Sequence, residues 1–408
     1  MWIIIRVLAG IALLAIVEIY FIKKSGKATR TLFPKLYKKE FPIASRVFLI
    51  WLNLYPVVLI LLYTYAAISG DFISLPESKV LDYLLIYPFW ILFVLMMQAG
   101  VLFLLIDILK LVLFPIYKKK KEKLLKPEAA IVIFIIAFFA IYVPVRIIYD
   151  YNTVSVRIVN YTKKSLPQDF NNFKIVLIAD LQADEFTDDA RLDNYLNKVN
   201  NLNPDLILIA GDFITSSPKY INVSAKHVGK LKAKYGVYAC IGDHDNWAYR
   251  SNYKRSVTEI ENALMKNNVP MLDNTRKTIT VDSSKINITF VTNTYVETIK
   301  QSVLDTLTSN SSGDLKIFLA HQPRQTLINS AVKNNYDLYL CGHTHGGQVS
   351  LVFPFRYLTP TMFETKYIRG NFNFGNMLMI VTRGLGMSIA PIRYNSTPEI
   401  TLIVLNKK

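Results

Sequence analysis

The stretch Cys341-Gly342-His343-Thr344-His345-Gly346-Gly347-Gln348 follows the apolar run Leu338-Tyr339-Leu340. Two imidazoles one residue apart face related directions only if the backbone bends between them, and Gly342, Gly346 and Gly347 permit that bend. Imidazole is a frequent ligand of zinc, iron, nickel and copper, so the loop can serve one ion or two adjacent ones. Alone, it also reads as a surface turn. The rest of the chain weighs against the turn. Of five histidines, His244 and His321 also stand just after apolar runs, and only His227 lies outside such a setting. Asp180 closes the run 175–179 and Asp212 follows 206–211. Apolar runs that each deliver a metal-ligand residue at the carboxyl end are how open α/β sheets build sites.

In order, these residues form Asp180-x-Gln182, Gly211-Asp212, Gly242-Asp243-His244-Asp245, His321 and Gly342-His343-Thr344-His345. The series resembles the signature of the calcineurin-like metallophosphoesterases: Asp-x-His, Gly-Asp, Gly-Asn-His-Asp/Glu, His, Gly-His-x-His. The segments Arg383-Gly384-Leu385-Gly386-Met387-Ser388, Pro391-Ile392-Arg393 and Pro398-Glu399-Ile400 look like the membrane-associated branch of that family. The resemblance covers roughly the last 230 residues and not the first 150.

At 408 residues, the chain is long enough for two structural units. Its 52% hydrophobic content and mean hydropathy of +0.27 sit oddly beside a net charge of +17. Membrane spans with basic flanks reconcile the two. Basic composition also fits nucleic-acid binding, but the lysines gather beside long apolar runs and no nucleic-acid motif occurs, so nucleic acid is not expected as a partner. With only Cys240 and Cys341, a disulfide scaffold is excluded. Both read as small buried hydrophobes, with a disulfide or metal thiolate as the alternatives.

Apolar runs at 2–22, 48–68, 84–113 and 129–148 predict an all-α transmembrane region of four helices within residues 1–150. The first lacks a small-x-small cleavage site and reads as retained. Basic loops at 23–39 and 118–126 predict a cytoplasmic side, while Asp71, Glu77 and Asp82 against Lys79 mark the intervening loop as external. The protein is thus expected in the cell membrane, multi-pass, with the catalytic domain at 151–408 extracytoplasmic. Asp107 and Lys110, one helical turn apart inside the third run, are expected to pair or snorkel, as is Arg6.

From residue 174 onward, apolar runs alternate with amphipathic segments, the pattern of an α/β layered domain. Strands are predicted near 174–180, 205–210, 236–241, 287–292, 315–320, 337–341, 347–352, 377–382 and 399–405, and helices near 188–200, 224–234 and 253–267. The family resemblance narrows this to a four-layer α-β-β-α sandwich.

The same resemblance implies a phosphoester hydrolase using two divalent metal ions, which shield the anionic oxygens and acidify a bound water into the attacking hydroxide. Asp212 would bridge the ions, with Asp180, Gln182 and His345 at the first and Asp243, His321 and His343 at the second. His244 would act on the substrate phosphate or leaving oxygen, with Asp245 orienting it; a plain turn is the alternative for this pair. Gln182 and Asp243 replace the usual imidazole and amide, making the site oxygen-rich and favouring manganese, with magnesium, zinc or iron also compatible. Arg383 and Arg393 read as phosphate-binding guanidiniums or as surface charge. The lipid bilayer is an expected partner, and the expected substrate is a phospholipid or lipid-linked headgroup. Two other readings stand: a hydrolase of a nucleotide-linked lipid precursor, and a non-catalytic membrane protein that binds a phosphorylated ligand through a degenerate metal site.

Overall fold

The computed structural model describes residues 2–69, 75–249, 252–309 and 311–407, with side chains from residue 10. Asp71 and the Arg6 side chain, both used above, lie outside the described residues. The chain divides into two compact units. One holds Met1–Tyr149 with Ser350–Leu358, and the other Asp150–Val349 with Thr359–Lys408.

Long apolar runs make the first unit helical, and the helices continue through Pro56, Pro127 and Pro144. Among the described residues, three helices are long and apolar enough to cross a membrane: Phe41–Ser69, Lys79–Val112 and Phe114–Asn152. Four were expected, and the helix Trp2–Leu32 is not among the three. Its apolar stretch carries Glu18 and runs straight into Lys23 and Lys24. The expected pairing of Asp107 is present. Lys24 bonds to Asp107 and lies 3.2 Å from Glu128, while Lys110 lies 3.2 Å from Asp107 and 2.7 Å from Glu128. The hydroxyl of Tyr20 donates to Asp107 at 2.8 Å and that of Tyr117 to Glu128 at 3.0 Å. Two cations thus share two anions across three helices, so no charge in this group is left uncompensated.

The same unit contains the short hairpin Leu351–Phe353 and Arg356–Leu358, in register Phe353 opposite Arg356. A strand was expected from 347, but the chain first makes a 3-10 turn, His345–Gly347, with Gly346 at φ 61° and Gly347 at φ 87°. Two successive left-handed glycines cannot belong to a strand, so after an isolated bridge from Val349 to Tyr394 the strand itself begins at Leu351.

In the second unit, two sheets stack between helices. The first has the order Ser155–Lys163, Glu399–Lys407, Lys174–Ile178, Leu206–Ile209, Val237–Ala239; the second runs Gly370–Phe374, Met377–Val381, Leu338–Cys341, Leu315–Ala320, Ser284–Val291, Thr275–Val281. Because successive side chains point to opposite faces, an unbroken apolar strand supplies two cores. Ile175, Leu177, Leu206 and Leu208 enter the core between the sheets, where they join Ile288, Phe290, Ile317 and Leu340. Val176, Ile178, Ile207 and Ile209 face outward under helices Asp189–Asn200, Ile221–Val228 and Tyr253–Lys266. On the other side Phe318, Tyr339 and Cys341 pack with Leu304, Leu327 and Ile328 of helices Gln301–Ser309 and Gln325–Lys333. The result is an α-β-β-α sandwich. The helix expected over 224–234 forms earlier, Ile221–Val228, and stops at Gly229, where a Cβ would crowd Asn267. Cys240 and Cys341 are free and buried, as expected of small hydrophobes, and burial pushes the Cys240 thiol up to about 12.

Candidate metal centre

Strands Lys174–Ile178, Leu206–Ile209, Leu315–Ala320 and Leu338–Cys341 all end on the same rim, and the residues just beyond each end converge there. The chain reverses sharply after each strand. Asp180, Gln182, Asp212, His343 and His345 all adopt positive φ, between 48° and 72°, and so turn back over the sheet ends. Three glycines make room: a Cβ at Gly342 or Gly384 would collide with the Asp180 carboxylate, and one at Gly386 with the Leu181 carbonyl.

Two groups of ligand atoms result, Asp243 with His321 and His343, and Asp180 with Asp212 and His321, each within 4.8 Å. His321 is common to both. Its Nδ1 donates to the Ala210 carbonyl at 2.6 Å, which aims Nε2 at Asp212 Oδ2 and Asp243 Oδ2, 3.3 Å from each. That buried Nε2 has no hydrogen-bond partner among the described residues, and neither has Gln182 Oε1. The Gln182 amide meanwhile donates to Asp212 Oδ2 at 2.8 Å. Three buried carboxylates, an imidazole nitrogen between two of them and an orphaned amide oxygen form a donor set that fits divalent cations.

Proton affinities reflect the same crowding. Burial pushes the Asp243 carboxyl up, but the His321 and His343 imidazoles outweigh it and hold the group well below the carboxylate range. Burial lowers His343, yet Asp243 at 2.9 Å from Nδ1 and Glu364 at 3.0 Å from Nε2 raise it to about 9. His345 is held well below its ordinary value, by burial first and the Arg393 guanidinium second, and so stays neutral. Its Nε2 lies 3.9 Å from Asp180 Oδ1. Burial raises Asp180 to about 6.

His244 lies at the same rim. Its backbone N–H donates to Asp212 Oδ1 at 2.8 Å, its Nδ1 to the Thr215 carbonyl at 2.6 Å, and its Nε2 is 3.0 Å from Ser388 Oγ. The expected orienting carboxylate is corrected: Asp245 turns away from the imidazole and accepts the backbone N–H groups of Asp212, Phe213 and Gly242 at 2.8–3.0 Å. It ties two metal-centre loops together, because three buried N–H donors there have no other acceptor. The imidazole takes its orientation from Thr215.

Neither arginine lies as a phosphate-binding side chain would. Arg393 is 1% exposed and donates to the carbonyls of Gly386, His345, Arg383 and Ser396 at 2.6–3.2 Å. Its guanidinium is a strut beneath His345, and burial lowers it to about 10. Arg383 bonds to Glu399 Oε2 at 2.8 Å and Ser155 Oγ at 3.0 Å.

Several residues of this neighbourhood carry no signal in the sequence. Glu364 bonds to His343 and accepts from the Tyr295 hydroxyl at 2.6 Å and from Arg324 at 3.0 Å. Gln322 donates to Asp243 Oδ2 at 2.6 Å. Gln348 donates to the carbonyls of Ser388, Ala390 and Ile392. Only Gln322 and Gln348 stand next to a recognised motif. A cavity of about 420 Å³ opens beside His343, lined in part by Arg324, Phe363, Glu364 and Lys366.

The fold and these two overlapping ligand groups define a metal-dependent phosphoesterase. Comparison with known proteins agrees: the calcineurin-like phosphoesterase family matches residues 173–347. The metallophosphoesterase YkuE of Bacillus subtilis is 30% identical over 243 residues, 59% of this chain and 81% of that protein. A Bos taurus transmembrane protein with a metallophosphoesterase domain is 27% identical over 256 residues, 59% of this chain and 54% of that one. The UDP-2,3-diacylglucosamine pyrophosphatase LpxG of Chlamydia trachomatis is 27% identical over 288 residues, 59% of this chain and 86% of that one. The chain belongs to the calcineurin-like metallophosphoesterase family, as a multi-pass membrane member.

Proposed function

We propose that the protein hydrolyses a phosphoester bond in a phospholipid or lipid-linked headgroup, with residues 151–408 as its catalytic domain. The observation that carries this reading is the placement of His321 Nε2 between Asp212 and Asp243, joining two ligand groups into one centre. Asp180, Gln182 through Oε1, Asp212 and His345 would hold one ion, and Asp212, Asp243, His321 and His343 the other. The oxygen-rich set supports manganese or magnesium. When bound, the two ions neutralise the phosphate oxygens and supply an acidified water as nucleophile.

The chain's own groups do the rest. Asp212 is held by Gln182 at Oδ2 and by the His244 backbone at Oδ1, with Oδ2 the oxygen 3.3 Å from His321 Nε2. Since His244 Nδ1 is spent on Thr215, only Nε2 can carry a proton to the departing oxygen. The Ser388 hydroxyl holds that nitrogen until substrate displaces it. Beside His343, exposed Met362 and Phe363 offer apolar surface at the cavity with Arg324 and Lys366. That combination supports an amphiphilic phosphate as substrate.

We take the helix Trp2–Leu32 as a fourth span, which with the basic loops at 23–39 and 118–126 puts the catalytic domain outside the cytoplasm. The relationship to LpxG favours a second reading, a nucleotide-linked lipid precursor as substrate. Such a precursor is cytoplasmic, so this reading needs the opposite orientation. Protease access to residues 151–408 in sealed inside-out and right-side-out vesicles separates the two. Purified protein with manganese is expected to turn over bis(p-nitrophenyl) phosphate, and Asp212→Asn and His321→Ala to abolish it. Equal rates in parent and variants would remove the assignment.

A further inference from the structure

We infer that the hairpin Leu351–Leu358 is a membrane-inserted element, docked on helix Tyr87–Val112 through Gln98 and presenting Phe355 to the lipid. Gln98 is the one polar side chain among the eight buried residues of that helix, and it is 0% exposed. Its amide donates to the Val352 carbonyl at 2.9 Å and accepts the Val352 N–H at 2.7 Å. It thus does for Val352 what a neighbouring strand would do.

A two-stranded hairpin has an outer edge whose N–H and C=O groups normally bond to water. No buried glutamine is needed where water is at hand. Inside hydrocarbon, non-helical backbone persists only if its polar groups are satisfied by protein. The depth of Gln98 agrees. It lies 14 residues before Val112, about 21 Å along a helix. The apolar run 84–113 is longer than the ~20 residues that span a ~30 Å core. Whichever end of the run meets the bilayer surface, Gln98 falls within the hydrocarbon layer.

The tip points to the same partner. Phe353 pairs with Arg356, so Pro354 and Phe355 form the turn. Phe355 occupies φ 67°, a place turns normally give to glycine or asparagine, and its side chain is fully exposed. A large apolar ring held in costly backbone geometry and fully uncovered suits acyl chains. The Arg356 guanidinium beside it stacks 5.8 Å over the Phe353 ring, a contact that offsets part of the cost of its charge in an apolar setting. The hairpin also belongs to the same compact unit as the three membrane-length helices.

The test uses full-length protein in phosphatidylcholine vesicles. Phe355→Cys changes an exposed position, and because Cys240 and Cys341 are 0% exposed, an environment-sensitive thiol probe labels residue 355 alone. Blue-shifted emission is expected, with at least twofold quenching by nitroxide-labelled lipid and little by aqueous iodide. Adding Gln98→Leu should remove half or more of the lipid quenching. Emission and iodide quenching equal to those of a probe at the exposed Glu261→Cys control would overturn the insertion. Lipid quenching unchanged by Gln98→Leu would overturn the docking. Neither readout requires catalytic activity.

Discussion

His343 is bound on both ring nitrogens, to Asp243 and to Glu364, and in the metal-free protein it therefore keeps its second proton up to about pH 9. A metal ion must displace that proton, so binding at the second position strengthens as pH rises toward 9 and weakens on acidification. The expected loss is at most about tenfold per pH unit for one displaced proton, measurable by titration calorimetry at pH 6, 7 and 8. Gln182 poses a different test, because it stands where relatives of this fold carry imidazole. Gln182→His is expected to raise zinc affinity relative to manganese, read from competition between the two ions. Arg393→Ala should take a donor from the carbonyls of Gly386, Arg383, Ser396 and His345, of which the last keeps Gln348 and Ser396, and lower stability by about 3 kcal/mol or more, seen as an early thermal transition. A guanidinium in a loop after a strand reads the same in sequence whether it meets phosphate or peptide carbonyls. Only the surrounding chain decides, which is why Arg383 and Arg393 stay open in the sequence while Asp180, Asp212, Asp243, His321 and His343, each pinned to the end of an apolar run, are legible.

Apolar runs identified most of the strands because both faces of these sheets are buried, so Lys174–Ile178 and Leu206–Ile209 show continuous hydrophobicity. The edge strands Thr275–Val281 and Gly370–Phe374 escaped, since their exposed faces mix polar residues into the pattern. The second strand of the Leu351–Leu358 hairpin escaped for another reason: at three residues it is too short for any period to show. The loops between strands depend on close approach of backbone to backbone. Gly386 is the sharpest case, because a methyl group there meets the Leu181 carbonyl and the Gln182 Cβ, neither of which is a flexible side-chain end. Gly386→Ala is expected to displace the Asp180–Gln182 loop and cost the first ion while leaving the sheets intact, with metal content per chain falling from two toward one and circular dichroism unchanged. Glu364 lies on the chain 19 residues beyond His345, where no local pattern could link it to His343.

At the scale of the molecule, the charge of +17 and the hydrophobic excess are legible in the sequence as those of a membrane protein. The pairing of Asp107 with Lys110, one helical turn apart, was legible too, but not the way Lys24 and Glu128 join it, for both lie far from that pair in sequence. Glu128→Ala leaves two lysines to one aspartate, and a lower melting temperature in detergent is expected than for the parent, with catalytic turnover at low temperature retained. The first sheet has its own long-range logic. Its second position belongs to Glu399–Lys407, parallel to Ser155–Lys163 on one side and antiparallel to Lys174–Ile178 on the other. Those two neighbours leave the ribosome about 220 residues ahead of the strand that joins them, a wait of roughly 10–45 s at ordinary translation rates. For that interval the nascent chain carries one unpaired strand and one half-paired edge, an interval in which aggregation competes with closing the sheet.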